Sequence, residues 1–142
     1  MIIIIKKAVF KMEIISKHSK QREAILALLR ETKTHPTAEW LHSNLKESYP
    51  KLGLATVYRN LRLFEQLGLV QRIDVGDGLE HFDAGVHTHY HFYCRNCNSV
   101  IDVDLPNLHP EQYLPDGFTP HRHQLVFYGE CSNCKSKNQK IN

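Results

Sequence analysis

Four cysteines fall in two Cys-x-x-Cys pairs, Cys94-Arg-Asn-Cys97 and Cys131-Ser-Asn-Cys134, with 33 residues between them. Each pair makes a turn that presents two thiolates to one ion. Two pairs complete a tetrahedral sulfur set, which suits zinc. Four thiolates leave no open coordination position, so the chemistry is structural rather than catalytic. The interval exceeds that of a short zinc ribbon, so the ion would close over a small subdomain. The competing reading is two disulfides or four inert thiols. An export signal places its positive charge before its apolar run, but here Lys6 and Lys7 follow Ile2–Ile5. Without export, disulfides are uncommon, and a cytoplasmic location is expected.

Directly upstream lies His87-Thr-His89-Tyr-His91-Phe-Tyr-Cys94. In a strand, His89 and His91 share one face while Tyr90 and Phe92 share the other. Two imidazoles make half a metal site, and Asp102, in the strand-like run Val100–Leu105, can add a carboxylate. The plain alternative is a pair of structural histidines.

The elements that would position these groups follow from the rest of the chain. Ser19 reads as the cap of a helix Lys20–Arg30, with Ile25, Leu26, Leu28 and Leu29 as its apolar stripe. His35-Pro36 breaks the chain. Thr37 caps a second helix carrying Ala38, Leu41 and Leu45, which ends by Tyr49-Pro50. Gly53 opens a third helix, Leu54–Leu67, closed by Gly68. On it Leu54, Val57, Leu61, Phe64 and Leu67 recur at helical spacing and predict a core face. Thr56, Tyr58, Arg59 and Arg62 then fall largely on the opposite side. Two guanidiniums beside a phenol and a hydroxyl fit a helix entering the DNA major groove, although periodicity alone fits a solvated face equally. Leu69–Val75, the turn Gly76-Asp77-Gly78 and Leu79–Asp83 predict a hairpin. Three helices and a hairpin make a winged helix, and Lys51 and Arg72 would supply phosphate contacts.

Charge divides the same way. Residues 1–80 hold 13 Lys/Arg against 9 Asp/Glu, whereas residues 81–142 hold 5 against 6. Seven of the ten histidines and all the cysteines lie from His81 onward. A basic half and a half rich in metal ligands predict two domains with different tasks. In 142 residues no apolar run approaches the length of a membrane span.

From about Ser16 to Lys135 the sequence resembles the ferric-uptake-regulator family of metal-dependent repressors. The likeness rests on Gln21-Arg22, His35-Pro36-Thr37-Ala38, Leu54-Ala55-Thr56-Val57-Tyr58-Arg59-Asn60-Leu61, His89-Tyr-His91, the two cysteine pairs and Tyr128-Gly129, in that order. It implies an α+β chain: a winged-helix DNA-binding domain over residues 1–83, with 1–15 as an extension, and a small α/β dimerisation and metal-binding domain over 84–142. Residues 1–11 have no counterpart in the family pattern and read as an extension or as sequence upstream of a start at Met12. The resemblance further implies a homodimer on double-stranded DNA with a pseudo-palindromic operator. It also implies a regulatory ion, Fe(II) or Mn(II), held by His35, Asp83, His89, His91 and Asp102, with Cys94, Cys97, Cys131 and Cys134 on one structural zinc per subunit.

Within the family, aspartate at both 83 and 102 resembles the peroxide-sensing repressors, whereas iron-uptake repressors usually carry glutamate there. In the peroxide subgroup Fe(II) reacts with hydrogen peroxide and a ligand histidine gains an oxygen; the candidates here are His35 and His89. The sensor is consumed rather than turned over, so no enzyme is expected. Thr88 and Tyr90 stand where iron-uptake members often carry extra ligands, while His123 remains, so that additional site is expected to be incomplete. Arg59 brings the recognition helix closer to the iron-uptake type. An Fe(II)-responsive uptake repressor is the nearest alternative. A zinc-uptake repressor would require a sensing cysteine, and all four are committed. A mononuclear iron oxygenase, from a different class, would leave the winged helix without a role. His18, His42, His81, His109 and His121 are expected at the surface.

Overall fold

Ser19 starts the first helix as expected. Its hydroxyl accepts from the Arg22 N–H at 3.4 Å, and α1 runs Lys20–Glu31. Thr37 does the same for α2, Ala38–Leu45, accepting from the Trp40 N–H at 3.3 Å. Caps of this kind contribute about 1 kcal/mol each. The third helix, α3, runs Leu54–Gln66 after Gly53, and Gly68 takes the left-handed conformation beyond its end. The three helices bury Ile25, Leu26, Leu29, Ala38, Leu41, Val57, Leu61 and Phe64 against one another and against Leu52, Val70 and Phe82. Full burial of each large apolar side chain contributes about 1.5–3 kcal/mol. On α3 the predicted face needs correction: Leu54 and Leu67 are only half-buried, and the polar Asn60 is buried with Val57, Leu61 and Phe64.

A hairpin follows. Strand β1, Gln71–Ile73, pairs antiparallel with β2, His81–Asp83, in the register Gln71↔Asp83, Arg72↔Phe82, Ile73↔His81. Both strands are shorter than the sequence pattern predicts. The side chains of the turn explain this, because Asp74 Oδ1 accepts the Gly76 N–H and Asp77 Oδ1 accepts the Leu79 N–H. Local side-chain bonds take donors that a longer ladder would use. Three helices and this hairpin give the winged-helix arrangement.

The computed structural model describes residues 19–85, 89–105 and 108–138, which form two units dividing at residues 86–87. The expectations for residues 1–15, His18, His87 and Thr88 lie outside the described residues. The second unit is a mixed three-stranded sheet. Its central strand β3, Tyr90–Cys94, lies between β4, Val100–Val103, antiparallel, and β5, Val126–Gly129, parallel. β4 stops at Val103 rather than Leu105, because Val103 pairs with Tyr90, the first residue of β3. A 3-10 turn, Pro110–Tyr113, lies in the connection to β5, and α4, Ser132–Asn138, follows it. Among the described residues no helix is long and apolar enough to cross a membrane.

Candidate metal centres and DNA-contact face

The parallel pairing of β3 and β5 brings the cysteine pairs together. Cys94 ends β3 and pairs with Gly129, the last residue of β5, so each Cys-x-x-Cys turn begins at the same end of the sheet. Cys94 Sγ lies 3.9 Å from Cys134 Sγ, Cys97 Sγ lies 3.9 Å from Cys131 Sγ, and all four sulfurs lie within 4.8 Å of one another. A tetrahedron with zinc–sulfur bonds of ordinary length has edges of about 3.8 Å, so this cluster has the size and donor type of a zinc site. The four cysteines form no disulfide. The Cys131 N–H donates to Cys94 Sγ at 3.3 Å, and this bond leads the effects that pull the Cys94 thiol down to about 6. The Ser99 hydroxyl beside its sulfur lowers Cys97. Burial pushes Cys134 up to about 12.

On the same sheet, His91 pairs directly with Asp102 across β3 and β4. Asp102 Oδ1 lies 3.2 Å from His89 Nε2 and 3.6 Å from His91 Nε2. Both rings are buried, with centroids 4.8 Å apart. Two ring nitrogens converging on one carboxylate oxygen form a compact N,N,O donor set, as the strand periodicity predicts. Tyr90, one residue along, points its hydroxyl at His123 Nε2, 3.2 Å away.

The first unit holds a second donor pair. His35 Nε2 lies 3.9 Å from Asp83 Oδ2, and the His35 ring is buried. Asp83 is oriented by Gln71 Nε2, which donates to Oδ2 at 2.9 Å, and by the Gly85 N–H, which donates to Oδ1 at 2.7 Å. His35 has φ 53°, left-handed backbone in a residue that precedes proline, a costly conformation that its surroundings must enforce. They do so from β2. The Phe82 N–H donates to the Pro36 carbonyl at 3.0 Å, and His81 Nδ1 donates to the His35 carbonyl at 2.9 Å. His81 was expected at the surface; it is 7% exposed, and its Nε2 bonds Asp77 Oδ2 at 2.8 Å. His42 is half-buried with Nε2 2.9 Å from the Leu52 carbonyl, whereas His109 and His121 are exposed as expected.

The outward side of α3 carries Arg59 and Arg62, both exposed, and Thr56 and Tyr58, both half-buried. Arg59 Nη2 donates to Thr56 Oγ1 at 3.3 Å. Tyr58 donates its hydroxyl to Glu39 Oε1 at 2.7 Å, which pushes the phenol up to about 12 and holds the carboxyl below its usual range. An open cleft of about 890 Å³ is walled by Arg22, Tyr58, Asn60, Arg59 and Arg62 among others. Arg22 reaches it from α1, its Nε donating to Asn60 Oδ1 at 2.8 Å, while Asn60 Nδ2 bonds the Thr56 carbonyl at 2.8 Å. Sequence reasoning assigned no role to Arg22 or Asn60. The available signal was a polar residue three places after Val57 and four before Phe64. Lys51 is exposed, but Arg72, expected to reach phosphate, is held by Glu80 at 2.6 Å and Glu65 at 3.7 Å.

Residues 13–128 match the Ferric uptake regulator family. The peroxide-responsive repressor PerR of Staphylococcus aureus is 36% identical over 121 residues, covering 82% of this chain and 81% of that protein. Among solved structures, the Campylobacter jejuni peroxide stress regulator superposes with a TM-score of 0.69 at 27% identity, over 89% of this chain and 96% of that one. The Francisella tularensis ferric uptake regulator, determined with iron, gives 0.66 at 25% identity, over 83% and 93%. With these matches over a chain that carries a four-thiol cluster and imidazole–carboxylate groups, the chain belongs to the ferric uptake regulator family, as a metal-binding transcriptional repressor and not an enzyme.

Proposed function

We propose that this chain is a peroxide-sensing repressor that holds one structural zinc and one regulatory Fe(II) or Mn(II) per subunit. The observation that carries the reading is donor type within each unit: His35 with Asp83 in the first, and His89 and His91 with Asp102 in the second, no thiol among them, while every cysteine lies in the separate cluster. Cys94, Cys97, Cys131 and Cys134 hold the zinc. His35 and Asp83 from the first unit and His89, His91 and Asp102 from the second hold the regulatory ion. Three nitrogens and two carboxylates suit Fe(II) or Mn(II) and leave room for a further ligand. The likeness to peroxide-responsive repressors supports this choice.

Residues 1–83 act as the DNA-binding domain and residues 84–142 as the dimerisation domain. Thr56, Tyr58, Arg59 and Arg62 face the operator, a pseudo-palindrome read by a homodimer in the cytoplasm. An apolar row supports the dimer: Ile101, Phe92 and Phe127 are cross-strand neighbours over β4, β3 and β5, and the outer two are each 41% exposed. Ligands drawn from both units favour one arrangement of the winged helices, so the ion need only bind that arrangement more tightly by a few kcal/mol to switch DNA occupancy.

Fe(II) held there would lend the electron that opens the peroxide O–O bond beside the ligand rings and would regain it as the ring is oxidised. His35 and His89 are the rings exposed to that oxidant. In the net change an imidazole C–H becomes a carbonyl, taking one oxygen from peroxide and releasing one water. The oxidised ring is a poor donor, and with it the closed arrangement and the DNA are lost.

The test uses anaerobic protein loaded with Fe(II), with Mn(II)-loaded protein as control. Limiting peroxide is added, operator binding is followed, and peptides are mapped by mass spectrometry. One added oxygen on His35 or His89, with DNA released only from the iron form, is the expected result. Unmodified histidines and DNA binding that tracks Fe(II) concentration would instead establish an iron-uptake repressor.

A further inference from the structure

We infer that His81 and Asp77 are positioning residues for His35, and that they tie the turn of the wing to the metal-binding side chain. The inference rests on the reading of His35 as a ligand, and it adds residues that touch no ion. Three observations within the first unit carry it. His35 sits in left-handed backbone at φ 53°, a conformation that a histidine before proline does not keep unaided. Its carbonyl is bonded by His81 Nδ1 at 2.9 Å, a side chain 46 residues away in sequence. The other nitrogen of the same ring, Nε2, is bonded at 2.8 Å to Asp77 Oδ2, in the tight turn between Gly76 and Gly78.

One ring nitrogen meets the His35 carbonyl and the other the Asp77 carboxylate, so the ring has a neighbour on two sides and cannot turn without losing one. Its side chain is nine-tenths buried, and so is nearly all of the Asp77 carboxylate, with 12% exposed. Burial alone would push that carboxyl up, but the His81 bond and the Leu79 N–H outweigh it and keep Asp77 below its ordinary value. Asp77 also fixes the turn itself by accepting the Leu79 N–H at 3.0 Å. The continuous path is therefore wing turn, Asp77 carboxylate, His81 ring, His35 carbonyl, His35 ring. In a winged helix the hairpin turn is the part that reaches the duplex backbone. A displacement of the turn on DNA therefore moves the backbone that aims His35, and a metal holding His35 restrains the turn in return.

The experiment is calorimetric titration of Mn(II) into full-length, zinc-loaded protein, wild type and variants, with zinc content and unfolding temperature measured alongside. His81→Phe and Asp77→Ala are expected to weaken Mn(II) by about 10-fold, the scale on which outer residues that orient ligands act. Asp77→Asn keeps an acceptor for Nε2 and is expected to recover most of the affinity. In a His35→Ala background, Asp77→Ala is expected to add no further loss, because the path runs only through His35. A purely structural role would instead add its full effect there. If His81→Phe fails to fold, the Asp77 variants alone decide. Wild-type affinity in Asp77→Ala, or full additivity with His35→Ala, overturns the inference while His35→Ala still weakens Mn(II). Wild-type affinity in His35→Ala itself would overturn the ligand assignment and this inference together.

Discussion

Tyr58 stands on the side of α3 that we propose faces DNA, yet its hydroxyl proton is directed at Glu39. That bond raises the phenol to about 12, so the stability it supplies is complete below pH 10 and is lost as pH rises from 10 to about 12. Ultraviolet titration is expected to find one tyrosine ionising near pH 12 in the wild type and near its ordinary value in Glu39→Gln. Cys134→Ser removes one corner of the thiol cluster. Bound zinc is expected to fall from one per chain to none, as read by elemental analysis, with unfolding of the sheet in circular dichroism, because a structural zinc supplies on the order of 10 kcal/mol. At this scale the sequence was legible wherever ligands are close in the chain. The spacing of Cys94 and Cys97, and the alternation of His89 and His91, carry their geometry with them. His35 and Asp83 come only from a family likeness, since neither stands in a pair or an alternation of its own. His81 was misplaced at the surface, because its burial depends on a loop 46 residues earlier folding back over β2.

At the scale of elements, helices were read more closely than strands. Ser19, Thr37 and Gly53 mark their starts in the sequence, and their apolar spacing is local. The strands end where side chains of Asp74 and Asp77 capture backbone donors, or where the partner strand runs out at Tyr90. Asn60 shows how an apolar period can hide a polar position. It joins α1 to α3 by accepting from Arg22 and donating to the Thr56 carbonyl. Asn60→Ala is expected to destabilise the first unit by about 1–3 kcal/mol in urea unfolding, the cost of stranding buried partners. It is also expected to weaken operator binding, since Arg22 loses a bond that helps to hold it in the cleft.

At the scale of the molecule, the charge division in the sequence falls close to the boundary between the two units. The basic first half carries the arginine-lined cleft, and the phosphate contacts proposed for it predict operator affinity that falls steeply with salt. The other half exposes the row Ile101 and Phe127. Phe127→Asp is expected to give monomers in sedimentation and to abolish operator binding at concentrations where the wild type is a dimer, with zinc content unchanged. Fold class and the four-thiol cluster are both legible in the sequence. The extent of apolar surface left on the second unit was not, because alternation in a strand does not say which face is covered.

The parallel union of β3 and β5 has a consequence for the order in which the chain folds. Parallel neighbours cannot be joined by a short turn, and here the segment from Cys97 to Cys131 must loop back before Cys94 can meet Gly129. Closing such a loop costs entropy before any ladder bond repays it. The four sulfurs sit at the place where that closure happens, so an ion captured by the first pair waits there as a seed for the second. Refolding of the sheet should therefore quicken with free zinc and slow under a chelator, and newly made chains would depend on zinc supply before they could answer to any other metal.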